Sequence, residues 1–135
     1  MDGEGRPAAC APALELVSLN FSRETDMNAT NVLAANLGAE FIVLDEFQPW
    51  KEEFDDLAIL LTHNGASVNA GQVQDALGGP SFSAGLICSE ASAQGYTLTP
   101  DWILMTGACG QVVPAAKGRY EAHFGTLGSV HLDIK

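Results

Sequence analysis

Positive charge is scarce in this chain of 135 residues. Six Lys and Arg stand against 17 Asp and Glu, a formal net charge of −11. Nucleic acids and anionic membrane surfaces both select clustered positive charge, so this balance argues against either partner. It suits solubility and is compatible with a cation site. No stretch approaches the roughly 18 consecutive apolar residues of a membrane-spanning helix. Cysteine is equally sparse. Cys10, Cys88 and Cys109 show no C-x-x-C spacing, which leaves neither a zinc knuckle nor a disulfide framework. Cys88 and Cys109 lie among apolar residues and read as small core side chains. The opening MDGEGRPAACAP lacks the basic and apolar regions of a secretion signal, so a reducing, cytoplasmic setting is expected. In that setting the sequons Asn20-Phe21-Ser22 and Asn28-Ala29-Thr30 are chance matches. Missing too are GxGxxG, GxSxG, P-loop and HExxH patterns, and with them the commonest nucleotide, acyl-transfer and zinc-protease signatures.

What is present is apolar and strand-rich. Hydrophobic residues make up 47% of the chain, enough for one domain with a real core. Residues 1–11 carry Gly, Pro and Ala with scattered charge and read as a flexible lead-in. Residues 13–21, ALELVSLNF, nearly alternate and predict a strand; 22–30 is polar and loop-like. Asn28 or Thr30 caps a short helix over NVLAANL, which Gly38 ends. AEFIVL (39–44) predicts a second strand. LAILLTH (57–63) and ASVNAG (66–71) flank Asn64-Gly65, the strongest hairpin signal in the chain. After a short turn at 71–80, residues 81–95 predict a helix, capped by Ser81 or Ser83 and closed by Gly95. Residues 99–115 predict strand, Gly turn and strand. Residues 119–134 predict two more strands around Gly125 and Gly128. There is no internal repeat, low-complexity tract or second domain.

Few residues stand out as chemistry. The segment DEFQPWKEEFDD (45–56) holds Asp45, Glu46, Glu52, Glu53, Asp55 and Asp56. Their spacing matches no calcium loop, so a solvated connection anchored by Trp50 and Phe54 is expected. His63, His123 and His131 fall in strand-like stretches, the last two near each other across the final hairpin. Glu15 is the odd residue: one carboxylate inside the apolar run PALELVSL. Alternation lets it face solvent while Leu14 and Leu16 face inward. Otherwise it needs a partner, a metal or a raised pKa.

PALELVS, then Leu77-Gly78-Gly79-Pro80, then MTGACGQVVPAAKGRYEAHFGTLGSV (105–130) resemble, in order and spacing, a known family. It is the 2-keto-4-pentenoate hydratase and 4-oxalocrotonate decarboxylase branch of the fumarylacetoacetate hydrolase superfamily. The likeness spans residues 12–135, as a single domain corresponding to the C-terminal part of the family. It implies an α+β fold, a mixed, rolled β structure with short outer helices. It implies Mg²⁺ or Mn²⁺, held by three carboxylates and chelating a 2-oxo acid. The glutamate of the PALE-type strand is one ligand, here Glu15. Thr106 and Gly107 fall on the family's substrate-side Thr-Gly turn, and Asn36 aligns with its Asp-Asn-Ala-Ser stretch. The implied activity is hydration, or decarboxylation, of a small unsaturated 2-oxo acid such as 2-hydroxypenta-2,4-dienoate in aromatic-compound catabolism.

The chain also departs from the pattern. The family's other two ligands form a Glu-x-Glu pair ahead of the PALE-type strand, beside its catalytic lysine. Glu4 is followed by Gly5 and Arg6, and no such pair precedes Glu15. Ala35 and Gly38 replace the acid and serine around Asn36, and Arg23 is the nearest base after the strand. The resemblance therefore implies a homo-oligomer, or a partner chain that supplies the N-terminal half. The alternative is a non-catalytic subunit or assembly module of the same fold.

Overall fold

The computed structural model describes residues 7–135. Its elements are β1 (Ala9–Cys10), β2 (Ala13–Val17), α1 (Ala29–Ala34), β3 (Ala39–Leu44), β4 (Gln48–Pro49), β5 (Ala58–His63), β6 (Ala66–Gln72), α2 (Pro80–Ala93), β7 (Gly118–His123) and β8 (Ser129–Ile134). One four-stranded antiparallel sheet, in the order β6-β5-β7-β8, carries two short satellite pairs, β2-β3 and β1-β4. Mixed sheets with short helices are the expected α+β architecture. Of the expected lead-in, residues 1–6 lie outside the described residues, and Ala9–Cys10 pair with Gln48–Pro49.

The Asn64-Gly65 turn has both residues at positive φ, 49° and 81°, as a tight two-residue hairpin between β5 and β6 requires. Alternation along β7 and β8 buries Tyr120, Ala122 and Val130 on one side and turns Arg119 and His131 outward. The core forms where Phe54, Leu57, Ile59, Val73 and Leu127 meet. Trp50 packs edge-on to Phe54 with ring centroids 5.8 Å apart, so the acidic connection is anchored as its two aromatics predict.

Four expectations need correction. The first strand stops at Val17, where the β2-β3 register shifts. Asn28 does cap α1, its side chain accepting from Asn31 N at 3.1 Å. The helix then ends through three left-handed residues, Asn36, Leu37 and Gly38, and not at Gly38 alone. Neither Ser81 nor Ser83 caps α2. Gly79 and Pro80 open it, and Asp55 accepts from Ser81 N at 2.8 Å across 26 positions. A carboxylate there also complements the positive end of the helix. Finally, residues 99–115 form no ladder at all.

Phe54 is only 1% exposed and sits at the centre of the core cluster. Phe54→Ala is expected to cost about 3–5 kcal/mol in urea unfolding. A loss below about 1 kcal/mol would place the core elsewhere.

Candidate functional site

Irregular chain from residue 96 to 117 lies against the sheet, and one side chain fixes it there. Asn69, in β6, donates through Nδ2 to Cys109 O at 3.3 Å and Gln111 O at 3.0 Å. Its Oδ1 accepts from Gln111 N at 3.2 Å. The clamped turn approaches so closely that a Cβ on Gly110 would lie 2.9 Å from the Asn69 amide, and one on Gly71 would lie 2.9 Å from Gly110 N. Gly110 also takes φ +78°, so glycine is required there on both counts.

This arrangement walls a cleft of about 900 Å³. Its other sides are β2, the inward residues Tyr120, Ala122, Leu132 and Ile134, and the core residues Phe54, Ile59 and Val73. Glu15, Thr106 and Gly107 all line it. Glu15 is exposed, opposite Ile42 in the β2-β3 register; Thr106 is half-buried; Gly107 is exposed at φ +108°. Asn36 is not among the lining residues and stands exposed in the left-handed turn after α1. Arg23 is engaged with Asp26, both contacts at 3.0 Å. Asn69 and Asp101 join the lining unforeseen. The signal for Asn69 was a lone amide in a strand two residues before a glycine.

The histidines stay outside the cleft. His63 stacks on Tyr120 at 4.3 Å and meets Lys117 O at 3.0 Å. His123 shares a 2.8 Å hydrogen bond with Ser129, and His131 pairs across the strands with Glu121, which places the two histidines diagonally. Two cysteines do line the cleft. Burial pushes the Cys10 thiol up, with Asp55 adding to it against a lowering backbone contact from Ala11. Burial followed by the charge of Asp75 pushes Cys109 up.

The metal expectation is tested by the donor set. Mg²⁺ is held by several hard oxygen ligands at once. Among the described residues, no three His, Cys, Asp or Glu side chains gather into a group able to hold a metal ion. Glu15 alone does not make a Mg²⁺ or Mn²⁺ site.

The fold has solved relatives. The chain superposes on 4-oxalocrotonate decarboxylase from Pseudomonas putida G7, complexed with magnesium and adipate, with a TM-score of 0.80 and 21% identity, covering 91% of this chain and 48% of that one. The same enzyme complexed with calcium and acetate gives 0.78 and 21%, covering 91% and 47%. The likeness is one of fold: mixed sheets with few short helices are shared with these structures. The chain spans about half the length of these structures. Among curated proteins, REH2-associated factor 2 of Trypanosoma brucei brucei (strain 927/4 GUTat10.1) is 28% identical over 83 residues, 62% of this chain and 31% of that protein. No family model matches. No helix among the described residues is long and apolar enough to cross a membrane.

Asn69→Ala leaves the 109 and 111 carbonyls without their donor and is expected to cost about 1–3 kcal/mol in thermal or urea unfolding. An unchanged stability would show that the turn is held by something else. The two thiols give a pH signature. Their folded pKa values are raised, so the folded state keeps these protons longer than the unfolded chain. Their contribution is fully present below the unfolded value, about pH 8.5, and is lost as pH rises through the folded one. Melting temperature should therefore fall above about pH 8.5, less steeply in a Cys10→Ala/Cys109→Ala double variant. Equal slopes would contradict the assignment.

Proposed function

We propose that this chain forms the substrate cleft of a divalent-metal-dependent lyase acting on small unsaturated 2-oxo acids. The chemistry is of the 2-keto-4-pentenoate hydratase kind, with 2-hydroxypenta-2,4-dienoate a representative substrate in aromatic-compound catabolism. One observation carries the reading. Glu15 and the distant pair Thr106-Gly107 line one cleft, on a fold shared with a magnesium-complexed decarboxylase. In this reading Glu15 supplies one oxygen ligand to Mg²⁺ or Mn²⁺. The Thr106 hydroxyl and the Gly107 N–H hold the substrate carboxylate; Asn36, outside the cleft lining, takes no part. The remaining metal donors come from outside the described residues, from another subunit or another part of a longer protein. A decarboxylase would use the same cleft, and the two reactions diverge only after the substrate is bound. A cytoplasmic location suits the three free thiols.

A second reading has its own support. The donor set is incomplete among the described residues, and the curated relative is named as an associated factor. In that reading the fold is kept as a non-catalytic subunit or assembly module.

Thermal melting separates them. The purified chain is titrated with millimolar Mg²⁺ or Mn²⁺ with oxalate present as a chelating mimic. A ligand bound only by the folded state must raise the melting point, by about 2.7 kcal/mol of stability at a hundredfold excess over Kd. The enzyme reading expects a metal-dependent rise of several degrees that is absent in Glu15→Ala. Unchanged melting at saturating metal and oxalate would reject a metal site completed by copies of this chain, leaving donors from a longer protein or the assembly module.

A further inference from the structure

The stretches whose composition predicts strands, and which form no ladder, have a second property. From Trp102 to Ala108 the chain runs without helix, turn, bend or strand pairing. Among the described residues the backbone of Ile103 to Ala108 makes no hydrogen bond. Backbone donors and acceptors are left open only where water or another chain takes them. Natural sheet edges are usually blunted with charge, proline or a bulge, and WILMTGA carries neither charge nor proline. The run Trp102–Thr106 has the composition and the usual length of a strand.

It is also flanked by space. The cleft of about 900 Å³ lies to one side, and a groove of about 520 Å³ against α2 lies to the other. Trp102, Ile103, Leu104 and Met105 line both. Trp102 and Ile103 remain 51% and 45% exposed. An added strand lies about 4.8 Å from its neighbour, and these hollows leave it room. Charge selects the occupant. Asp101 lines the cleft at the start of this edge, Glu90 lines the groove, and the whole chain carries −11. A second copy would bring the same negative charge and be repelled.

We propose that Trp102–Thr106 is a docking edge for an extended segment of a different polypeptide, with alternating apolar and basic residues, which adds to it as a β-strand. Main-chain hydrogen bonds hold such a segment, and alternate side chains enter the two hollows. The proposal rests on the open backbone and the fold, and stands whether or not the cleft binds metal.

The probe is a blocked nonapeptide of alternating Val and Lys, titrated by calorimetry into the full chain and followed by amide hydrogen exchange. Saturable binding is expected, with exchange at Ile103–Thr106 slowed at least tenfold. The same peptide N-methylated on the residues facing the edge should bind at least tenfold more weakly, as should a Val/Glu counterpart. Equal binding of the N-methylated peptide would overturn strand addition. Equal binding of the acidic one would overturn the charge assignment. No binding up to millimolar peptide would overturn the docking edge. So would a free chain that light scattering shows as a dimer with Ile103–Thr106 already protected, because a second copy would then hold the edge.

Discussion

The clamp at Asn69 carries the cleft. Residues 96–117 gain nothing from helix or sheet, so their position depends on a few polar contacts and close approaches. Asn69 reads both faces of the Gly110 turn, accepting from Gln111 N and donating to two carbonyls. Gly71 and Gly110 let the two backbones come within reach. Further along, Tyr120 fastens the end of the segment, its hydroxyl accepting from Ala116 N at 3.0 Å. Just ahead of the clamped turn, Thr106 and Gly107 line the cleft. A substrate contact there would inherit its precision from an amide on a different strand.

The opposite wall is held more lightly. β2 and β3 pair only with each other, and a two-stranded pair is marginal without something to cover it. They rest against β8, while Phe41 and Ile42 stay 61% and 43% exposed. Glu15 therefore sits in a marginal two-stranded pair, and Thr106 in a segment without ladder bonds that is held at the nearby Gly110 turn. Both readings of the cleft add contacts to these two walls, from metal donors in one case and from a protein surface in the other.

Much of this was legible in the sequence, and the reasons are local. Asn64-Gly65 dictates its hairpin because few other residues accept two positive φ values in succession. AEFIVL declares itself by β-branched and aromatic content, the final pair of strands by alternation, and Asn28 by its capping chemistry. Of the residues marked by resemblance, Glu15, Thr106 and Gly107 line one cleft and Asn36 does not. What failed was whatever depended on partners remote in sequence. The N-terminus of α2 takes its cap from Asp55 and not from its own serines. WILMT and QVVPA have strand composition, yet composition cannot say whether a neighbouring strand exists to pair with them. Asn69 looked like an ordinary strand residue because its partners lie some 40 positions away.

The order of strands in the main sheet also bears on how fast the chain folds. β5-β6 and β7-β8 are hairpins of near neighbours, and such units close in microseconds. Joining them requires β5 to find β7, with His63 opposite Tyr120, so everything between must be looped out first. That loop contains α2 and the whole irregular wall. Non-local closure is the slow step in proteins of this topology. The cleft cannot exist without that closure, because β7 supplies Tyr120 and Ala122 to its lining and the long connection supplies the facing wall.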